Sequence, residues 1–283
     1  MSARLSSGII ILARMGSTRL PGKVLLPILG VPVLEHMLRR LADVPVDRGL
    51  VVATTTNPAD DVLEEFCARL GAACFRGDED NVLARCIGAA ERFGMEAVVR
   101  LGGDSPLCDR RVVTQLLEAF QAERAAGRRL DYASNTLARY LPLGLDAEVF
   151  HIDAFRRIAA IAATLGDEER RLNESNVVPY MHTHPEEFDL LQVGQGPDAS
   201  QHRWTLDNPQ DFELISRIYG ALHPTDPDFG TAEALALIAK HPDWAAINAG
   251  VVPVSGFWTA VEREKFTKRY AAPAPNMGPG GAQ

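Results

Sequence analysis

Apolar residues recur along this chain in two alternating rhythms. Short continuous runs rich in β-branched residues, at 8–13, 49–56, 73–77 and 97–102, predict strands. Between them, at about 31–42, 58–70 and 80–93, apolar positions return at the three-to-four-residue spacing that gathers one face of a helix. Helix starts are marked by Pro32 after Gly30-Val31, by Asn57-Pro58 as a cap with a first-turn proline, and by Asp109 ahead of a helix beginning near Arg110. Strand and helix in alternation argue for an α/β fold: a mostly parallel sheet with flanking helices, whose ligands collect at the carboxyl ends of the strands.

Past residue 130 the rhythm changes. Strands at 130–135 and 145–150, a Pro142-Leu143-Gly144 turn, a helix at about 151–164 and another ending before His184-Pro185 read as an insertion over 130–200. An acceptor-binding or dimerisation lobe is one account of it, and a purely structural lobe is another. Residues 203–207 predict a further strand, Asn208-Pro209-Gln210-Asp211 opens a helix running to about Leu222, 223–230 is a loop, and 231–241 is a last helix. Residues 1–270 read as one domain and the Ala/Pro/Gly-rich 271–283 as a disordered tail.

Composition narrows the function classes. With 283 residues, 46% hydrophobic and 23% charged, core size is not limiting. No apolar run approaches the roughly 20 residues that cross a bilayer. The apolar run at 8–13 is short and lacks a cleavage pattern, so a cytoplasmic location is expected. A net charge of -8 argues against a general binder of nucleic acid or anionic membrane, so any polyphosphate site must be local. Cys67, Cys74, Cys86 and Cys108 are spread singly, as reduced thiols are, and His182 and His184 lack a third ligand nearby, which makes them surface or lobe residues and not zinc ligands.

The strongest chemical signal follows the first predicted strand. In Ala13-Arg14-Met15-Gly16-Ser17-Thr18-Arg19-Leu20-Pro21-Gly22-Lys23, small residues let backbone N–H groups approach phosphate oxygens, and Arg14, Arg19 and Lys23 offset their charge. A surface turn with solvated charges is the plainer account, and the position after the first strand weighs against it. The segment fits neither the dinucleotide nor the P-loop pattern. Asp104 lies where a strand gives way to a loop, behind Gly102-Gly103, which permit close approach, and before Pro106, which stiffens the turn. Arg76 and Gly77 sit at another strand end and suit a nucleotide contact. Asp146 and Glu148, two apart on a predicted strand, share a face that presents acceptors to a sugar, completes a metal site or is simply solvated; Asn135 is acceptor-facing or part of a polar turn.

The 13–23 segment resembles the N-terminal signature of bacterial sugar-acid cytidylyltransferases, nearest the SpsF-like spore-coat polysaccharide branch. The wider family makes CMP-activated 3-deoxy-manno-octulosonate and sialic-type sugars. Further matches are Phe75-Arg76-Gly77-Asp78-Glu79-Asp80-Asn81-Val82-Leu83, Arg100-Leu101-Gly102-Gly103-Asp104-Ser105-Pro106-Leu107, Leu143-Gly144-Leu145-Asp146-Ala147-Glu148-Val149-Phe150 and Arg203-Trp204-Thr205-Leu206-Asp207-Asn208-Pro209-Gln210-Asp211, so the resemblance runs to about residue 220. It implies a nucleotide-diphospho-sugar transferase fold, a homodimer, and Mg²⁺ held by Asp104 and Asp207. In the Asp207 motif Asn208 stands where the family has Thr and Gln210 where it has Glu. Ala13, Arg14, Met15, Gly16, Ser17, Lys23, Arg76, Gly77 and Gly103 would bind the nucleotide, and Asn135, Asp146 and Glu148 the sugar acid. The implied reaction is attack by a sugar hydroxyl on the α-phosphorus of CTP with release of pyrophosphate, for surface glycan synthesis. Arg14, Arg19 and Lys23 would stabilise the leaving group and Asp104 would hold the metal. The rivals are a sugar-phosphate nucleotidyltransferase or glycosyltransferase of similar fold, and a nucleotide-binding protein without turnover.

Overall fold

The computed structural model describes residues 4–251 and 269–270; the stretch expected as a tail, 271–283, lies outside the described residues. The chain runs β1 (Ser7–Leu12), β2 (Pro27–Ile28), β3 (Val31–Pro32), α1 (Val33–Leu41), β4 (Leu50–Thr55), α2 (Asp61–Leu70), β5 (Ala73–Gly77), α3 (Val82–Phe93), β6 (Ala97–Gly102) and α4 (Arg110–Ala125). It continues through β7 (Tyr132–Ser134), β8 (Glu148–His151), α5 (Ile152–Ala162), α6 (Asp167–Asn176), α7 (Pro179–Thr183), β9 (Leu190–Gln192), α8 (Pro209–Leu222), α9 (Thr231–Lys240) and α10 (Pro242–Ala245).

Seven strands form one sheet in the order β5-β4-β1-β6-β8-β7-β9. The pairs β5-β4, β4-β1, β1-β6 and β7-β9 are parallel, and β8 runs antiparallel to both β6 and β7. Ile9, Ile10 and Ile11 of β1 are fully buried, as a central strand covered on both faces requires, and this accounts for the continuous apolar run in the sequence. On one face Leu34, Met37 and Leu41 of α1, Leu63 and Phe66 of α2, and Leu116, Leu117 and Phe120 of α4 pack against Ile9, Ile11 and Val99. On the other, Cys86 and Ala89 of α3 and Phe155 and Ile158 of α5 pack against Ile10, Val98 and Phe150. A third cluster joins Trp204, Leu206, α8 and α9 to Ile28, Val33 and Leu107.

Within residues 130–200, β7, β8 and β9 widen the central sheet, and Phe155, Ile158 and Met181 share one core with Ile10 and Val51. Residues 203–207 are extended but are not a strand. Their backbone partners are divided, Trp204 N–H to Leu143 O at 2.7 Å and Leu206 N–H to Asp104 O at 2.8 Å, so no ladder forms with one neighbour. His182, within 130–200, is half-buried; its ring lies 5.8 Å from that of Tyr132, and burial pushes its pKa down to about 3.

Candidate active site

β1 lies between β4 and β6, so the chain turns to opposite sides of it and leaves a crevice at the carboxyl ends of these strands. The 13–23 loop leaves β1 into that crevice and bonds to itself: Ser17 and Gly22 N–H donate to Met15 O at 2.8 and 3.2 Å, and Leu20 N–H donates to Ser17 Oγ at 3.3 Å. Gly22, at φ 67°, turns the chain into Lys23. Asp60, 2% exposed, accepts from Met15 N–H at 2.7 Å and from the Thr55 hydroxyl, tying the loop to the end of β4. Arg14 and Arg19 remain about half exposed, 3.6 Å from Glu79 and 3.1 Å from Asp207.

The loop after β6 lies against the same strand end. Gly103 N–H donates to Leu12 O at 2.8 Å, and a Cβ at 103 would itself come within 2.8 Å of that oxygen, so the approach needs glycine. This brings Asp104 to Lys23, whose Nζ is 2.9 Å from Oδ2 of Asp104 and 2.7 Å from Oδ1 of Asp207. Asp207 reaches the site because the next-door Leu206 N–H is held by Asp104 O. Burial alone would lower the Lys23 pKa, but the Asp104 and Asp207 carboxylates outweigh it and raise it. For Asp207, burial favours the neutral acid, and Lys23, Arg203 and Arg19 overcome this and hold its pKa below the ordinary carboxylate value.

Among the described residues no group of three or more His, Cys, Asp or Glu is arranged to hold a metal. That excludes a closed protein cage in this region but not Mg²⁺, which takes one or two carboxylates and completes its shell with phosphate oxygens and water. Asp104 and Asp207, converging on one cation in a crevice lined by a glycine-containing loop, have the donor set such an ion accepts.

Residues 8–234 match the family model described as cytidylyltransferase. The chain belongs to the cytidylyltransferase family. It is 34% identical over 242 residues to the spore coat polysaccharide biosynthesis protein SpsF of Bacillus subtilis (strain 168), covering 83% of this chain and 95% of that protein. Over 117 residues it is 31% identical to 3-deoxy-manno-octulosonate cytidylyltransferase of Escherichia coli, covering 41% of this chain and 47% of that one. A solved cytidylyltransferase from Leptospira borgpetersenii serovar Hardjo-bovis (strain JB197) superposes with a TM-score of 0.78 at 28% identity, covering 89% of this chain and all (100%) of that one. The cytidylyltransferase is thus a nucleotidyltransferase, and its family uses CTP and a sugar substrate.

In this cytidylyltransferase the remaining sequence candidates divide by neighbourhood. Arg76 braces the end of β4, donating to Thr55 O at 2.9 Å and Asn57 O at 3.0 Å, with Asp61 and Glu64 against its other side. Gly77 leaves room for Arg85, whose Cγ would lie 3.0 Å from a Cβ there. Asn135, 3% exposed, clamps the chain before β8 by donating to Leu145 O at 2.8 Å and accepting from Ala147 N–H at 3.1 Å. Asp146 is paired with Arg139 at 2.5 and 2.7 Å, and Glu148 with Arg100 and the Tyr132 hydroxyl.

Four residues of this cytidylyltransferase escape sequence reasoning. Asp60 reads only as a helix-start acid. Arg85, 4% exposed, donates to Asp78 O at 2.5 Å and Glu79 O at 3.3 Å and shapes the 78–81 turn; in sequence it is one more helix residue. Arg203 heads a recognised motif, but only the fold shows it gripping Asp207 at 2.9 Å and Asp211 at 2.9 and 3.1 Å. Asn248 carries no signal in the sequence.

Proposed function

We propose that the chain transfers CMP from CTP to a hydroxyl of a sugar acid of the 2-keto-3-deoxy octulosonate or nonulosonate type, for surface glycan synthesis. The observation that carries the reading is the convergence of Lys23, Asp104 and Asp207 beside the 13–23 loop. The names of the Bacillus subtilis and Escherichia coli relatives support the polysaccharide setting and the keto-acid acceptor.

The acceptor oxygen attacks the α-phosphorus, the bond from that phosphorus to the bridging oxygen breaks, pyrophosphate leaves, and the hydroxyl proton passes to solvent. The main-chain N–H groups of Arg14 and Gly16 and the side chains of 13–17, with Gly103 at their back, hold the triphosphate, since the N–H groups of Ala13, Met15 and Ser17 are bonded within the protein. Arg14, Arg19 and Lys23 stabilise charge as it builds on pyrophosphate. Asp104 and Asp207 would hold Mg²⁺, which when bound would neutralise charge on the triphosphate oxygens. Arg76 and Gly77 act from the end of β5, Arg76 by bracing the end of β4 beside the loop that takes the nucleotide. On the acceptor side Asp146 is the more exposed carboxylate, its side chain 37% exposed, and Asn135 and Glu148 set the chain that carries it.

The test is pyrophosphate release, with and without Mg²⁺, from CTP, UTP, GTP and ATP, each with octulosonic acids, sialic-type acids and hexose 1-phosphates. Mg²⁺-dependent release with CTP and a keto-acid sugar is expected. Release only with another nucleotide and a sugar phosphate would replace this reading with a pyrophosphorylase.

A further inference from the structure

The family match ends at residue 234, before the segment that follows α10. Within that segment Asn248 is 3% exposed, and its amide donates to Arg203 O and to Oδ1 of Asp211, each at 2.8 Å. Asp211 is fully buried, and among the described residues every other hydrogen bond of its carboxylate serves the 203–208 segment. Arg203 holds both oxygens at 2.9 and 3.1 Å, and the main-chain N–H groups of Asp207 and Asn208 each donate to Oδ2 at 3.0 Å. The Asn208 side chain adds a 3.3 Å contact to the same oxygen. The Nη2 of Arg203 that reaches Asp211 Oδ2 also donates, at 2.9 Å, to Oδ2 of Asp207.

We propose that Asn248 is a positioning residue for the cation site: through Asp211 and Arg203 it fixes the rotamer of Asp207, so a segment beyond the family match completes the site. The inference rests on the reading of Asp104 and Asp207 as cation ligands. A carboxylate that only capped α8 would need the two main-chain N–H bonds and nothing more. Here the same carboxylate is also locked in plane by a two-pronged arginine, and the amide of Asn248 closes the last open direction on Oδ1. Rotation of Asp211 would swing Arg203 off Asp207, and Asp207 would keep Lys23 on Oδ1 and the half-exposed Arg19 on Oδ2 but lose the more buried of the two guanidinium groups that hold Oδ2.

The experiment titrates Mn²⁺ into the full chain with CTP and no acceptor, reading bound metal by electron paramagnetic resonance, for the native protein, Asn248→Ala and Asp207→Asn. Metal-free CTP binding and the melting temperature are read alongside. Asn248→Ala is expected to weaken Mn²⁺ about 10-fold, as loss of an outer partner of a metal ligand does. CTP affinity without metal should stay within about 2-fold, since no contact to the 13–17 loop is touched. Arg203→Lys, which keeps the charge but not the two-pronged grip, should weaken Mn²⁺ similarly. If Asp207→Asn loses Mn²⁺ while Asn248→Ala holds it as tightly as the native protein, the inference fails and the cation reading stands. A lowered melting temperature with unchanged Mn²⁺ affinity would likewise reduce Asn248 to a structural residue. If neither the native protein nor any variant holds Mn²⁺ with CTP bound, both fail.

Discussion

Lys23 donates to Asp104 at 2.9 Å and to Asp207 at 2.7 Å, so one ammonium joins carboxylates carried by opposite halves of the chain. Replacing it with methionine leaves the two acids facing each other without that cation. Lys23→Met should lower stability at neutral pH by about 1–3 kcal/mol, less than for a fully buried pair because the Asp104 side chain is 34% exposed. The sign on the acid side follows from Asp207, whose pKa is held below its unfolded value. Its contribution is present above the ordinary carboxylate pKa and is lost as pH falls through the folded value. Urea unfolding across acid pH should therefore show a shallower loss in Lys23→Met, and added Mg²⁺ should recover part of the neutral-pH deficit.

Asp104→Asn and Asp207→Asn keep the size of the side chain and remove its charge. Each should cut turnover at saturating Mg²⁺ and CTP by about 100-fold or more, the scale on which lost stabilisation of developing charge is felt. Pyrophosphate release measures it, and near-normal rates in Asp104→Asn would remove that residue from the cation site.

Gly144 at φ 107° supports the extended segment that carries Asp207. A Cβ there would lie 2.4 Å from Thr205 N and 2.5 Å from the Trp204 carbonyl carbon, with backbone on the other side that cannot move aside cheaply. Gly144→Ala should cost about 2 kcal/mol or more by chemical unfolding, and turnover should fall further than stability alone predicts because Asp207 is displaced.

His182 is held neutral by burial, with the Arg100 guanidinium adding to the effect, and its pKa lies near about 3. The unfolded chain takes up a proton near the ordinary histidine value while the folded protein does not. Stability is therefore unaffected above that value and falls as pH drops from roughly 6.5 toward 3. His182→Gln should flatten this part of the stability profile without altering turnover at neutral pH, as thermal unfolding over that pH range will show.

Local patterns were enough to read β1, β4, β5 and β6 with their helices, because each buries residues in a period that the chain writes in order. The caps at Asn57 and Asp109 accept from main-chain N–H groups two positions on, which is likewise short-range. The 203–207 segment misled because extended backbone and apolar side chains are common to a strand and to a crossing strap; only the partners of its N–H groups distinguish them. Sequence patterns alone specify the α/β rhythm, the glycine-containing basic loop after β1 and the carboxylates within the motifs. Tertiary structure alone decided that Lys23 stands between Asp104 and Asp207, that Asp60 anchors the loop through Met15, and that Asn248 reaches Asp211. The physical reason is range: period and capping are set by neighbours along the chain, whereas a charge takes its role from whichever groups the packed core brings within about 3 Å of it.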